Sequence, residues 1–329
     1  MRRTKAILVK TLPSRQAIAM IVLFYFLIVS VASVAVGQEK AKGEDEGPQP
    51  TTETLKTKDG ISLRAFYFPT DKAFDPNKDE MVPIKGTEVI PVILVHEWQG
   101  QGSPYLKLVL ALNEVGCSVL VPEYRGHGGS KEYTDVRGRS QTFDPTAMGR
   151  ADVAKIVSLD IEAAKQFLKK KNDDGDLNLN ALVMIGVREG AVFASHFAVA
   201  DWRWPSVGRL KQGQDVKALV LISPEKHMKG LAIDSTISDP NLIRLPIMVA
   251  VGKTSSEATE ATRIAKRIEG LKRRLGQGEA RGFKEEVIDT NLSGPALVNE
   301  TDELIPAVVS FIKENVKISD SENPWIRRN

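Results

Sequence analysis

The chain of 329 residues is 42% hydrophobic and 26% charged, enough for a substantial core and bounded to one large or two small domains. Its formal net charge of +3 comes from one end: Arg2, Arg3, Lys5, Lys10 and Arg15 precede the first acid, Glu39, and without residues 1–37 the balance falls by five, to −2. That excludes a nucleic-acid partner argued from charge, and no basic stripe with interleaved aromatics takes its place. A single cysteine, Cys117, excludes an intramolecular disulfide and lies in an apolar run where a buried structural thiol is expected.

Residues 1–37 read as an export signal. A basic start precedes the apolar run from Ala17 to Gly37, and Ala35, Val36 and Gly37 offer small residues for cleavage before Gln38. The run, at about twenty residues, also has the length of a single membrane anchor. Either way the domain is expected outside the cytoplasmic membrane: periplasmic, secreted or tethered. Residues 38–52 are charged and poor in apolar side chains, the composition of a disordered linker. A domain over 53–318 follows, and 319–329 is a polar tail expected to fray.

Within the domain, the alternation from Leu55 to Phe68 around Asp59 and Gly60 predicts a hairpin. Val89–Val95 is a continuous apolar run, as in a strand covered on both faces. Leu106–Val115 reads as helix, Cys117–Val121 as strand, and Ala151–Lys171 as one long amphipathic helix with a basic C-terminal end. Leu182–Val187 is the next strand, followed by a small-residue helix. Residues 201–214, with Trp202 and Trp204, read as irregular. Strands Val216–Ile222, Pro246–Val251 and Lys284–Asp289 then alternate with helices Ser256–Leu275 and Leu304–Asn315. Such alternation predicts an α/β fold: a doubly wound, mostly parallel sheet with helices on both faces.

The stretch with chemical character is the turn after Leu182–Val187. Gly186, position 188 and Gly190 have the spacing of a nucleophile elbow, G-x-S-x-G, in which a serine sits on a strained turn between strand and helix. Position 188 is arginine, which is permanently protonated and has no lone pair to offer a carbonyl carbon.

Three motifs together resemble the α/β-hydrolase family over residues 55–316. HEWQG at 96–100 follows the third strand, where the family places its oxyanion loop, and its wording is similar to the dienelactone hydrolase branch. EYRGHGGS at 123–130 is similar to a motif of many esterases and serine aminopeptidase-like proteins. The 186–190 elbow is the third. The resemblance implies a serine or cysteine nucleophile at 188, an acid after the strand ending at Val251, and a histidine after the last strand. The chain has Arg188, Ser255 and Ser293 there, with Glu257 near the acid position, and no histidine beyond His227. The triad is read as degenerate, and hydrolysis as lost.

Several roles stay open for the remnant pocket. Arg188, with Glu189, Glu97, Trp98 and His227 around it, is either a drifted surface residue or the centre of an anion-binding site at a helix N-terminus. Glu97 is expected to pair with Arg188 and plug the pocket. His96 and His127 are expected to serve structure, Ser195 to face along its helix, and Trp98, Tyr124, Trp202 and Trp204 to pack under loops or line a pocket. No metal-ligand spacing and no phosphate loop is present, so neither a metal nor a cofactor is expected. The function this supports is a non-catalytic protein that binds a small anionic ligand or an envelope protein partner. The alternatives are an ester or peptide hydrolase with a non-standard site at His227 or Glu257, and an interaction scaffold of the cell envelope.

Overall fold

A computed structural model describes residues 48–328 except Val136 and Arg209. The signal or anchor assigned to 1–37, and the linker up to residue 47, lie outside the described residues. Among the described residues no helix is long and apolar enough to cross a membrane.

Eight strands make the central sheet: β1 (Thr51–Lys56), β2 (Ser62–Phe68), β3 (Ile90–Val95), β4 (Cys117–Pro122), β5 (Leu182–Val187), β6 (Val216–Ile222), β7 (Ile247–Gly252) and β8 (Phe283–Ile288). Their spatial order is β1-β2-β4-β3-β5-β6-β7-β8. β2 pairs antiparallel with β1 and β4, while β4 through β8 pair in parallel. Every residue of β4, β5 and β7 is buried, which is why these strands read as unbroken apolar runs.

Successive side chains of these strands feed two separate cores. Ile93 and Val95 of β3 and Met184 of β5 face α2 (Ile161–Asp174), α3 (Glu189–Arg203) and α4 (Ala258–Leu275). Val92, Leu94 and Ile185 face α1 (Leu106–Glu114) and α5 (Leu304–Asn315). The doubly wound α/β expectation is met. From β3 the chain goes first to β4 on one side and then crosses to β5 on the other. The crevice at the C-terminal ends of β3 and β5 is therefore the switch point, where such sheets place their sites.

The structure departs from the sequence reading in four places. β1 begins at Thr51, inside the stretch assigned to the linker. The polar connection over 73–87 contains a small hairpin, Lys72–Asp75 with Glu80–Pro83. The long helix expected over Ala151–Lys171 is interrupted by a π-helical turn, Ile156–Asp160, between Arg150–Lys155 and α2. That turn buries Asp160, whose carboxylate takes the backbone amide of Arg125 at 2.9 Å and its guanidinium at 2.6 Å.

The polar tail, expected to fray, is fastened. Asn172, Asn178 and Asn180 donate side-chain amides to the carbonyls of Ile326, Asn323 and Pro324 at 3.0, 2.8 and 2.9 Å. Arg328 is 4% exposed and pairs with Asp215, which also accepts Lys165 at 2.9 Å and Lys211 at 3.1 Å.

Candidate active-site remnant

The elbow is built as its spacing requires. Arg188 has φ +52 and ψ −118, a backbone conformation that is rare for a residue with a Cβ and that persists only where the surroundings enforce it. The enforcement is visible: the Arg188 amide donates to the Ile222 carbonyl at 2.9 Å, and its own carbonyl accepts the Ala191 amide at 3.0 Å. Both glycines are needed for close approach. A Cβ on Gly186 would lie 2.5 Å from the Ala191 Cα, and one on Gly190 would lie 2.2 Å from the Val95 carbonyl oxygen.

From this turn the Arg188 side chain reaches across the crevice to the loops after β6, β7 and β8. Its Nη1 donates to Glu257 and, at 3.2 Å, to the Ser293 hydroxyl; its Nη2 donates to Glu225 at 2.9 Å. The Glu189 carboxylate stands 3.9 Å from Nε. Gly294 makes room for the aliphatic stem, since a Cβ there would meet the Arg188 Cδ at 2.8 Å. Burial pushes the Glu257 carboxyl up, but hydrogen bonds from Ser293 and Ser256 and the Arg188 charge outweigh it and hold the group below its usual range. Burial raises Glu225, and Glu189 and Glu257 add to the rise more weakly while Arg188 opposes it.

The amides at the crevice are occupied as well. The Trp98 amide donates to the Glu189 carboxylate at 3.1 Å. Beside it, the Tyr105 hydroxyl donates to the Glu97 carboxylate. Burial raises the Glu97 carboxyl. His96 and His127 lie beneath, 0% and 1% exposed, each with Nδ1 against a carbonyl (Glu97 at 2.8 Å, Arg125 at 2.9 Å) and each with Nε2 lacking a partner. Burial lowers both imidazoles to about 4.

No family model and no curated protein sequence matches the chain. Solved structures do. An esterase from Pyrococcus furiosus superposes with a TM-score of 0.54 at 15% identity, covering 82% of this chain and 92% of that one. A thermostable carboxyl esterase from Bacillus coagulans gives a TM-score of 0.54 at 12% identity, covering 82% and 100%. Carboxyl esterase 2 from Tuber melanosporum gives 0.50 at 13% identity, covering 90% and 98%. The chain has the α/β-hydrolase fold.

In the frame of the α/β-hydrolase fold, Arg188 and Ser293 come together, Nη1 to hydroxyl, at 3.2 Å. Ser255 does not join them: its hydroxyl is buried without a hydrogen-bond partner, and Glu257 reaches the elbow instead. The expected Glu97–Arg188 pair is corrected. Arg188's ion-pair partners among the described residues are Glu257, Glu225 and Glu189, while Glu97 is held by Tyr105. Glu97 lies at the end of β3 beside Tyr105 at the entrance to α1, and the opposing loops offer Arg188 nearer carboxylates.

His227 is exposed on a two-residue ladder with Ala232, and Glu225 is the side chain that reaches the elbow from that loop. Glu225 was not anticipated. Its signal was available, since it follows the end of β6 by three residues and so belongs to the same strand-end loops as the elbow. Trp98 contributes its amide, and its ring packs on His127 with centroids 4.4 Å apart. Ser195 faces along its helix as expected, donating to the Val192 carbonyl at 2.9 Å.

Proposed function

We propose that this is an exported protein of α/β-hydrolase fold that does not hydrolyse, its elbow closed by an ion-pair lock and its role one of binding at the cell envelope. One observation carries the reading. The guanidinium of Arg188 stands on the elbow turn and is bonded to Glu257, Glu225 and Ser293, groups on three different strand-end loops. A permanently protonated side chain at that point offers no electron pair to a carbonyl carbon. Neither buried histidine is hydrogen-bonded to the elbow: each is closed off from solvent with Nδ1 on a backbone carbonyl and Nε2 without a partner. Export rests on the basic and apolar character of residues 1–37.

The charge balance bears on the ligand. Glu189, Glu225 and Glu257 gather around a single guanidinium, so a small anion has to displace a carboxylate from Arg188 before it binds. That favours an envelope partner over a small anionic ligand at this crevice. A second reading, an ester or peptide hydrolase that activates water with Glu257, is favoured by one feature: Oε2 of that carboxylate is buried without a hydrogen bond.

Turnover of short-chain nitrophenyl esters separates the two. The wild-type chain and Arg188→Ser are both expected to match a mock preparation, the variant because a base is still missing. Reproducible wild-type turnover that Glu257→Gln removes would overturn the proposal.

A further inference from the structure

The loop that leaves α3 has a character the elbow does not explain. From Trp202, in the last turn of α3, to Gln214 the sequence holds Trp202, Trp204, Val207 and Leu210, the cations Arg203, Arg209 and Lys211, and no acid. Val207 and Leu210 form an isolated antiparallel bridge, N–H to carbonyl at 3.0 Å in both directions, closed by Gly208 at φ +61. Directly bridged residues put their side chains on one face. The tip therefore presents Val207, 57% exposed, beside Leu210, 53% exposed, with Trp204 45% exposed at its base.

Two further observations say what fits them. A cleft of about 450 Å³ opens next to the loop, its lining mostly apolar (Val157, Val199, Trp204 and Leu231 among them) with His196 and Arg203 as its polar members. Cations flank the base of the loop. Lys58 Nζ lies 5.9 Å from the centre of the Trp204 ring, and Lys217 Nζ lies 5.1 Å from that of Trp202. Arg203 pairs with Asp239 at 2.8 Å, and the buried Asp215 is shared among Lys165, Lys211 and Arg328. Neither Lys58 nor Lys217 has a salt-bridge partner among the described residues, though Lys217 Nζ donates to the Gln214 carbonyl at 2.8 Å and lies in the field of Asp215 and Asp201; Lys58, Lys165, Arg203, Lys211, Lys217 and Arg328 still outnumber Asp201, Asp215 and Asp239.

We propose that this loop and its cleft form a membrane-contact surface for an anionic bilayer. Trp204, Val207 and Leu210 enter the boundary between headgroups and acyl chains, Lys58, Arg203 and Lys217 meet the lipid phosphates, and the cleft receives part of an acyl chain. Tryptophan and aliphatic side chains ringed by Lys and Arg are the composition that settles at that boundary, and each basic residue near an anionic surface adds to the attraction. The surface is independent of the elbow: Arg188 and Trp204 bracket the 15 residues of α3, a helix about 22 Å long.

The test uses the full-length chain carrying Ser206→Cys, labelled with an environment-sensitive nitrobenzoxadiazole. Ser206 is exposed, while Cys117 is 1% exposed with its thiol pushed up to about 12, so labelling is selective. Vesicles of phosphatidylcholine containing phosphatidylglycerol are expected to blue-shift the label and cut its quenching by iodide about threefold. Phosphatidylcholine alone is expected to do much less, and Val207→Asp with Leu210→Asp to abolish the effect while leaving the melting temperature unchanged. Because the double variant keeps residues 1–37, recruitment by that segment does not mimic the result. Three outcomes would overturn the proposal: a label as open to iodide with anionic vesicles as without, protection that survives in the double variant, or protection that appears without lipid as protein concentration rises.

Discussion

On the proposed reading, Arg188 changes what the site can do without changing its shape. The turn still adopts φ +52, and Gly186 and Gly190 still allow the close approach, yet the group displayed there is a cation held by carboxylates. Glu257 is 5% exposed, so removing its partner leaves a nearly buried charge with little water to solvate it. His96 and His127 make a second residue-scale case. Their folded-state pKa of about 4 lies below the unfolded value of about 6.5, so between these limits the unfolded chain binds more protons than the folded one. Stability is therefore full above about pH 6.5 and is lost as pH falls toward 4, each histidine adding a slope of about 1.4 kcal/mol per pH unit. Urea unfolding across this range is expected to be steeper in pH for wild type than for His127→Phe. Parallel profiles would show that the buried imidazole does not titrate with unfolding.

At the scale of elements, the switch point gathers the ends of β3, β5, β6, β7 and β8, and the loops after four of these strands touch the elbow or the residues beside it. The HEWQG motif supplies the Trp98 amide. The EYRGHGGS motif serves structure: Glu123 takes the Arg64 Nε at 2.6 Å and the Gly129 amide at 2.7 Å, and Arg125 clamps Asp59 and Asp160. The tail is an element of the same kind. It has no regular helix or strand but is bound through carbonyls that three asparagines reach, and Arg328 completes the charge of a buried network. Deleting residues 319–329 is expected to cost about 3 kcal/mol, the range for breaking a buried ion pair. A urea midpoint unchanged by the deletion would contradict this.

For the whole molecule, the sheet and most helices were legible because local pattern decides them. Leu182–Val187 and Pro246–Val251 are apolar throughout, since both faces of the sheet are covered, and Leu304–Asn315 has the bounds its periodicity predicts. What the sequence hid depends on contacts between distant segments. No local signal says that Asp160 is drawn inward by Arg125, that Glu97 turns to Tyr105, or that Arg328 reaches Asp215 across 113 positions. The elbow position was legible from two glycines; the partners of its arginine were not, because each comes from a different strand end. The fold is that of esterases, and fold alone does not deliver their chemistry. If Arg188 locks the crevice as proposed, its ion pairs contribute to folding stability. The measurement that tests it most directly is a double-mutant cycle in urea unfolding with Arg188→Met, Glu257→Gln and the two combined. Each single change is expected to cost about 2 kcal/mol and the double variant about 2.5 kcal/mol instead of the additive loss, a coupling of about 1.5 kcal/mol. Additive losses with no coupling would contradict it.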